Sequence, residues 1–414
     1  MKSVAVYFRK LQNNHYSISK LMGLLDEYLL PAGYVDIHQW RSFSDLKDII
    51  AHSKNERRVF AYSFMTNALE TVKNELEILS KKITRGDWII AGGPHPTADP
   101  QGCLKIGFHR VFSGESERTI VRFFRDVIDG YLPDGQDVIY DTEGKPINLD
   151  DYTPFDYKRG FFVPIELTRG CTNKCTFCQA HSVHCGILRF RSLEGLRQPF
   201  AELQKKNRRK VFFITSNVLS YSPEGVGSRL EALHKLGQMA LSYGLTDLHL
   251  GSFPSEVRPE YLKEEYLSVL KTYCRNRNIV IGAQTGSDRL LESIQRGHTV
   301  YDVKYAAQLA RSCGFKPFVD IIFGLPGETL ADRKETVDFI QWLLRYTGSR
   351  IHLHHFLPLP GTELWGCEPS AIDVGTRNYI DHLLRHGRAF GDIWRQEECS
   401  QQILSWRTQG LITI

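Results

Sequence analysis

The stretch "RGCTNKCTFCQA" (residues 169–180) governs how the rest of the chain is read. It sets Cys171, Cys175 and Cys178 within eight residues, directly after an apolar run, "FVPIELT" (162–168). A structural zinc site takes four protein ligands, usually two Cys pairs or a Cys pair answered by a His pair, and no fourth ligand stands nearby. Three is an odd number for disulfides, and a chain of 414 residues buries enough surface to fold without staples. The spacing predicts a metal centre that keeps one coordination position for a substrate or cofactor.

Outward from the cysteines the chain is a βα series. "FVPIELT", "KVFFIT" (210–215), "DLHLGS" (247–252), "NIVIGAQ" (278–284), "KPFVDIIFG" (316–324) and "RIHLHHF" (350–356) read as six strands. Helical patterns such as "LRQPFAELQKK" and "YLKEEYLSVLKTY" lie between them. Six tandem units predict an open or partial barrel over 161–360, with its site at the carboxyl ends of the strands.

Upstream, "SVAVYF", "YVDIHQW", "RVFAYS", "DWIIAGG" and "HRVFSGE" read as five strands that alternate with helices over 1–135. That pattern predicts a parallel, doubly wound, flavodoxin/Rossmann-like α/β domain whose ligands lie beyond the carboxyl ends of the strands. Those ends carry "YSFMT" (62–66), "GGPHPT" (92–97) and "SGESE" (113–117), small, polar or glycine-bearing turns that let a bulky polar ligand approach the backbone. Residues 136–160 read as a linker with one hairpin, and 361–414 as a helical C-terminal cap.

Composition narrows the classes. The chain is 42% hydrophobic and 24% charged, as in ordinary soluble proteins, and no apolar run reaches the length of a membrane span. The start, "MKSVAVYFRK", has no signal-peptide pattern, so the expected address is cytoplasmic. A formal charge of +5 over this length does not argue for nucleic acid. Cys103, Cys185, Cys274, Cys313 and Cys367 stand singly, the usual mark of small buried hydrophobes.

Cys-x3-Cys-x2-Cys with an aromatic, Phe177, before the last cysteine, on the loop after the first strand of such a series, resembles the radical SAM superfamily. The resemblance implies a [4Fe–4S] cluster on Cys171, Cys175 and Cys178, with S-adenosylmethionine (SAM) on the iron that has no protein ligand. "GAQTGSDRLLESIQRGHT" (282–299) is similar to the family's fourth-strand segment, which implies SAM contacts from Gln284, Thr285 and Ser287. "FGLPGET" (323–329) and "LPLPGTEL" (357–364) resemble the fifth-strand turn and the exit of the sixth. The family's glycine-glycine-glutamate after strand two is replaced by "ITSNVLSY" (214–221), so Thr215, Ser216 and Asn217 would have to serve. In "GSFPSEVRPE" (251–260), Glu256 and Arg258 are open to SAM, to substrate, or to a brace on the next helix.

A doubly wound domain followed by this barrel resembles the cobalamin-binding radical SAM enzymes over about residues 1–360. The resemblance implies cobalamin (methylcobalamin in turnover) against the front domain, with Tyr62, Ser63, Phe64, Thr66, Gly92, Gly93, Pro94, His95, Gly114 and Glu115 lining it. No Asp-x-His-x-x-Gly loop is present, so cobalt is expected to lack a lower histidine ligand, with His95 the one alternative.

The activity implied is methyl transfer from methylcobalamin to an unactivated sp3 carbon from which a deoxyadenosyl radical has abstracted hydrogen. Alternatives are a non-methylating rearrangement or cyclisation on the same cofactors, a methylthiotransferase, and an iron–sulfur or cobalamin sensor. The methylthiotransferase pattern wants three more cysteines in front, where only Cys103 stands; the sensor wants an output domain. The compact barrel and cap are similar to an archaeal subgroup that includes a glutamine Cα-methylase of methyl-coenzyme M reductase. That similarity implies a protein or peptide substrate, the alpha subunit of that reductase, with ferredoxin or flavodoxin as electron donor. His352, His354, His355 and Trp365 would line a peptide groove or pack between barrel and cap.

Overall fold

The computed structural model describes residues 4–29, 35–52, 57–132, 138–142 and 145–414. The chain forms two compact units: Met1–Val163 with Ser182–Cys185 and Ser405–Ile414, and Pro164–His181 with Gly186–Leu404.

The first unit is built on strands β1 (Val4–Arg9), β2 (Val35–Trp40), β3 (Arg57–Ser63), β4 (Trp88–Gly92), β5 (Arg110–Ser113) and β6 (Val138–Asp141). All pair in parallel, in the order β2-β1-β3-β4-β5-β6. β1 is buried at every position, as a central parallel strand covered on both faces requires. Val6 and Phe8 share a core cluster with Ile18, Leu21 and Leu25 of the helix His15–Leu29 and with Phe123 and Phe124 of Glu117–Asp129. The strand order reverses between β1 and β3, where such sheets open a crevice. Asn14 bridges that point: its Nδ2 donates to the carbonyls of Arg9 and Ser63, each at 2.8 Å.

The five strands expected in this unit are present, and the stretch read as a linker supplies a sixth. β6 pairs with β5 from Arg110/Val138 to Ser113/Asp141, and Tyr140 stacks on Phe112 with centroids 4.9 Å apart. Three half-buried residues and an exposed one carry too little periodicity to read as a parallel strand. Residues 136–137 and 143–144 of the expected linker and hairpin lie outside the described residues. The following segment is also packed: Phe155 is fully buried, and its carbonyl lies against Gly23 of the helix His15–Leu29.

The second unit carries β7 (Ile165–Glu166), β10 (Lys210–Ile214) and β11 (Asp247–His249) as one parallel group. β12 (Asn278–Gln284), β13 (Lys316–Phe323), β14 (Arg350–His355) and β15 (Ala389–Phe390) form another. Parallel bridges Leu248/Cys274 and Val257/Ile281 carry the order from one group to the next, giving an open partial barrel. Threonine capping boxes start two of its helices, Thr299 with Asp302 before Val300–Ser312 and Thr329 with Asp332 before Leu330–Tyr346.

All six expected strands are there, and two features exceed the reading. A short antiparallel pair, β8 (Thr168–Arg169) with β9 (Arg189–Phe190), clasps the cysteine loop at its base. The region read as a helical cap also contributes β15 to the barrel sheet, between the helices Val374–Arg385 and Ile393–Thr408. Its last ten residues group with the first unit, where Thr413 bonds Asp99 through both N (2.9 Å) and Oγ1 (2.6 Å). Two-residue strands lie below what periodicity can reveal. Among the described residues no helix is long and apolar enough to cross a membrane.

Candidate metal-cluster and cofactor site

The cysteine loop is held from several sides. Ser216 Oγ donates to the carbonyl of Gly170 at 2.9 Å, and Gly170 has a φ of 81°, the left-handed turn that starts the loop. Thr176 N donates to Ile294 O at 3.2 Å, and Cys178 N to Cys175 O at 3.1 Å. Cys175 is buried, while Cys171 and Cys178 are partly open. Two guanidinium groups face the Cys175 sulfur, Arg296 Nη1 at 3.4 Å and Arg258 Nη1 at 3.9 Å. Asn173 Nδ2 lies 3.4 Å from the Cys171 sulfur.

Burial, then the neighbouring Cys175 and Cys171, push the Cys178 thiol up to about 11. A bound metal deprotonates such a coordinating thiol outright. This donor set, three soft ligands on one loop with cationic donors at one sulfur, fits an iron–sulfur cluster.

Beside the loop lies a cavity of about 220 Å³ whose lining includes Phe177, Glu256, Gln284, Asp320, His354 and Gln396. Gln284 reaches it because the β12–β13 register shifts between Gly282 and Gln284, leaving Gln284 at a φ of 79°. A non-glycine residue held there is the mark of a constrained site. Burial, with the Asp320 carboxylate second, raises the pKa of Glu256 to about 7, and Arg296 and His354 oppose the shift. Burial alone would raise Asp320 as well, but hydrogen bonds from His352 and His354 hold it below the ordinary carboxylate range.

Several expected SAM contacts have other partners. Thr285 Oγ1 pairs with Thr336 Oγ1 at 3.0 Å, and Ser287 Oγ donates to Asp332 at 2.7 Å, so both fasten β12 to the helix Leu330–Tyr346. Thr215 Oγ1 pairs with Ser255 Oγ at 2.7 Å, and Asn217 Oδ1 accepts from Leu219 N and Arg258 N, each at 3.3 Å. With Ser216, these residues brace the loop and the next strand exit. Arg258 pairs with Glu260 and donates to Arg296 O while facing Cys175, so it is both a brace and a neighbour of the cluster loop. Of the aromatic and histidine group near the last strand, His354 and His355 line the cavity. Arg296 and Asp320 escaped the sequence reading; "QRGH" (295–298) offered one faint signal, a glycine turn beside two potentially charged side chains.

In the first unit the three turns do lie at the carboxyl ends of β3, β4 and β5. Their side chains are mostly turned inward. Tyr62 meets Trp40 and Phe108 edge-on, and Phe64 stacks on Phe108 and lies tilted against His95. Ser63 Oγ meets Ser17 Oγ at 3.1 Å, and Glu115 binds Ile147 N (2.9 Å) and His184 Nδ1 (3.1 Å). His95 is fully buried, bonds Thr66 Oγ1 at 3.1 Å, and has its pKa lowered to about 4, by burial foremost. What these turns present at the strand ends is largely backbone. Gly93, at a φ of 99°, starts the short helix Pro94–Ala98 so close to Phe64 that a Cβ would meet its amide nitrogen at 3.0 Å.

Residues 165–340 match the model of the Radical SAM superfamily. Among curated proteins, it is 24% identical over 326 residues to an uncharacterised protein of Methanopyrus kandleri, covering 66% of this chain and 61% of that one. It is 26% identical over 254 residues to the threonylcarbamoyladenosine tRNA methylthiotransferase MtaB of Thermotoga maritima, covering 60% and 55%. The chain thus spans less than two thirds of the length of either relative. Among solved structures it is similar to the radical SAM methyltransferase TsrM of Kitasatospora setae, bound to cobalamin and a [4Fe–4S] cluster: TM-score 0.63, 14% identity, 88% of this chain and 77% of that. The cobalamin-dependent radical SAM enzyme OxsB with aqua-cobalamin gives a TM-score of 0.59 at 14% identity, over 92% and 55%. At these identities the likeness is one of fold.

Proposed function

We propose that the protein is a cobalamin-dependent radical SAM C-methyltransferase. The observation that carries this reading is the pairing, in one chain, of a 2-1-3-4-5-6 doubly wound sheet with a three-cysteine radical SAM barrel, the fold shared with TsrM and OxsB. Bound together, the cluster and SAM would supply a carbon radical by hydrogen abstraction, and cobalamin the methyl group it takes up.

The chain's own residues hold and shield. Cys171, Cys175 and Cys178 would ligate three irons, and Arg296 and Arg258 would hold positive charge against the Cys175 sulfur. Phe177, Gln284 and Glu256 wall the cavity beside them, where SAM and the reacting carbon would be brought together. The glycine-bearing turns at the ends of β3, β4 and β5 would bind cobalamin largely through backbone. The fully buried His95, held by Thr66, leaves cobalt without a lower histidine ligand in this reading. The proposed substrate is a protein or peptide, with the glutamine Cα of methyl-coenzyme M reductase the specific candidate by family resemblance, and the proposed electron donor is ferredoxin or flavodoxin.

The curated relative MtaB favours a second reading, methylthio transfer. Against it stands the single cysteine, Cys103, in the first 163 residues, buried and with its thiol pKa raised by that burial. Incubation of the anaerobic, reconstituted protein with methyl-labelled SAM, cobalamin and a reductase peptide separates the readings. Methyl transfer gives one labelled methyl per peptide with both deoxyadenosine and S-adenosylhomocysteine. A mass gain of sulfur plus methyl supports the second reading, and deoxyadenosine with an unchanged peptide mass removes methyl transfer to that substrate.

A further inference from the structure

Asp320, His352 and His354 form a cluster outside the cysteine loop, all three with ligand atoms within 4.8 Å of one another. The sheet register builds it: Asp320 on β13 stands opposite His352 on β14, and Ile322 opposite His354, so the three side chains share one face. Asp320 Oδ1 is 2.9 Å from His352 Nδ1 and 3.9 Å from His354 Nε2, and the two ring nitrogens are 3.1 Å apart. A point about 2.0 Å from all three atoms exists within that triangle, the bond length that zinc and similar ions make to imidazole nitrogen and carboxylate oxygen.

Proton placement argues the same way. His352 Nδ1 faces both the carboxylate and the second imidazole nitrogen, so either its one N–H serves two acceptors or it accepts from His354 Nε2 and turns a lone pair on the carboxylate. A cation satisfies all three lone pairs at once. The ligands are also held in place: His352 stacks on Phe390 with centroids 4.4 Å apart and ring planes 4° apart. Both Asp320 and His354 line the cavity that also holds Glu256, so coordination positions left by three protein ligands would open into it.

We propose that Asp320, His352 and His354 bind a single divalent transition-metal ion, zinc or ferrous iron by donor set, separate from the cysteine-bound cluster. Two histidines and a carboxylate with open positions are a recurrent mononuclear set for both ions. The site requires neither cobalamin nor methyl transfer, so it stands or falls apart from the proposed function.

The test uses anaerobic, cluster-loaded protein dialysed against buffered zinc, with zinc and iron counted per chain by mass spectrometry. The wild type should hold about one zinc that Asp320→Asn and His354→Gln lose, binding at least about 100-fold more weakly. About four irons per chain kept by both variants would show that the barrel and its cluster survive the substitution. Zinc K-edge absorption of the wild type should show a nitrogen/oxygen shell at about 2.0–2.1 Å and no sulfur shell at about 2.3 Å. Substoichiometric zinc in the wild type, zinc retained by both variants, or a sulfur shell would each overturn the assignment.

Discussion

Arg296 places Nη1 3.4 Å from the sulfur of Cys175 and anchors the same guanidinium through Nη2 on the carbonyl of Gly282, at 2.8 Å. A buried cation so fixed stabilises negative charge on that sulfur and on anything it ligates. Arg296→Gln should therefore make a reconstituted cluster harder to reduce. The expected shift is on the order of 60 mV more negative, a tenfold change for one electron. A redox titration followed by paramagnetic resonance reads it, and an unchanged potential would show that the arginine serves packing alone.

Cys175 is the most buried of the three loop cysteines and the one whose sulfur both arginines face. Cys175→Ala should abolish both cluster iron and the formation of deoxyadenosine from SAM. Deoxyadenosine at wild-type rate in this variant would remove the cluster from the loop.

The residues of both predictions differ in how plainly the sequence announced them. Ligands packed into one loop are legible because their spacing is local, and the βα alternation around them is legible because buried parallel strands are apolar runs. Arg296 and Asp320 gain their meaning only when β12, β13 and β14 converge, which no local pattern records. Thr285 and Ser287 are ambiguous in the sequence for a related reason. Small polar residues in a strand-end turn serve a ligand or a neighbouring helix equally well, and here the helix Leu330–Tyr346 takes both. β6 and β15 are too short to show a period, so the edges of both sheets lay beyond the reading.

Gly23 tests whether residues 153–163 belong to the first unit. A Cβ there would lie 2.5 Å from the carbonyl oxygen of Phe155, a backbone atom that cannot step aside. Ala in place of Gly within a helix ordinarily gains up to about 1 kcal/mol, whereas overpacking costs about 1–3 kcal/mol. Gly23→Ala should thus be net destabilising, by about 1–2 kcal/mol in denaturant unfolding. A gain in stability would mean that the Phe155 segment is not seated on the helix.

His95 gives the first unit a pH dependence. Its folded pKa, about 4, lies below the ordinary 6.5, so the unfolded chain takes up its proton first. The stability it preserves is full above about pH 6.5 and is lost as pH falls toward 4, a change of up to about 3 kcal/mol. His95→Gln should flatten the stability profile across that window while carboxylate effects persist in both proteins. The same variant should leave the paramagnetic resonance of bound Co(II)-cobalamin unchanged, and a shifted spectrum would place the imidazole on cobalt.

The most direct measurement of the central claim is the metal content of protein purified anaerobically with cobalamin supplied, reconstituted with iron and sulfide, and freed of excess. About four irons on the cysteine loop and about one cobalt per chain are predicted. Four irons without cobalt would contradict the methyl-transfer account and leave a radical SAM enzyme whose doubly wound unit binds something other than cobalamin.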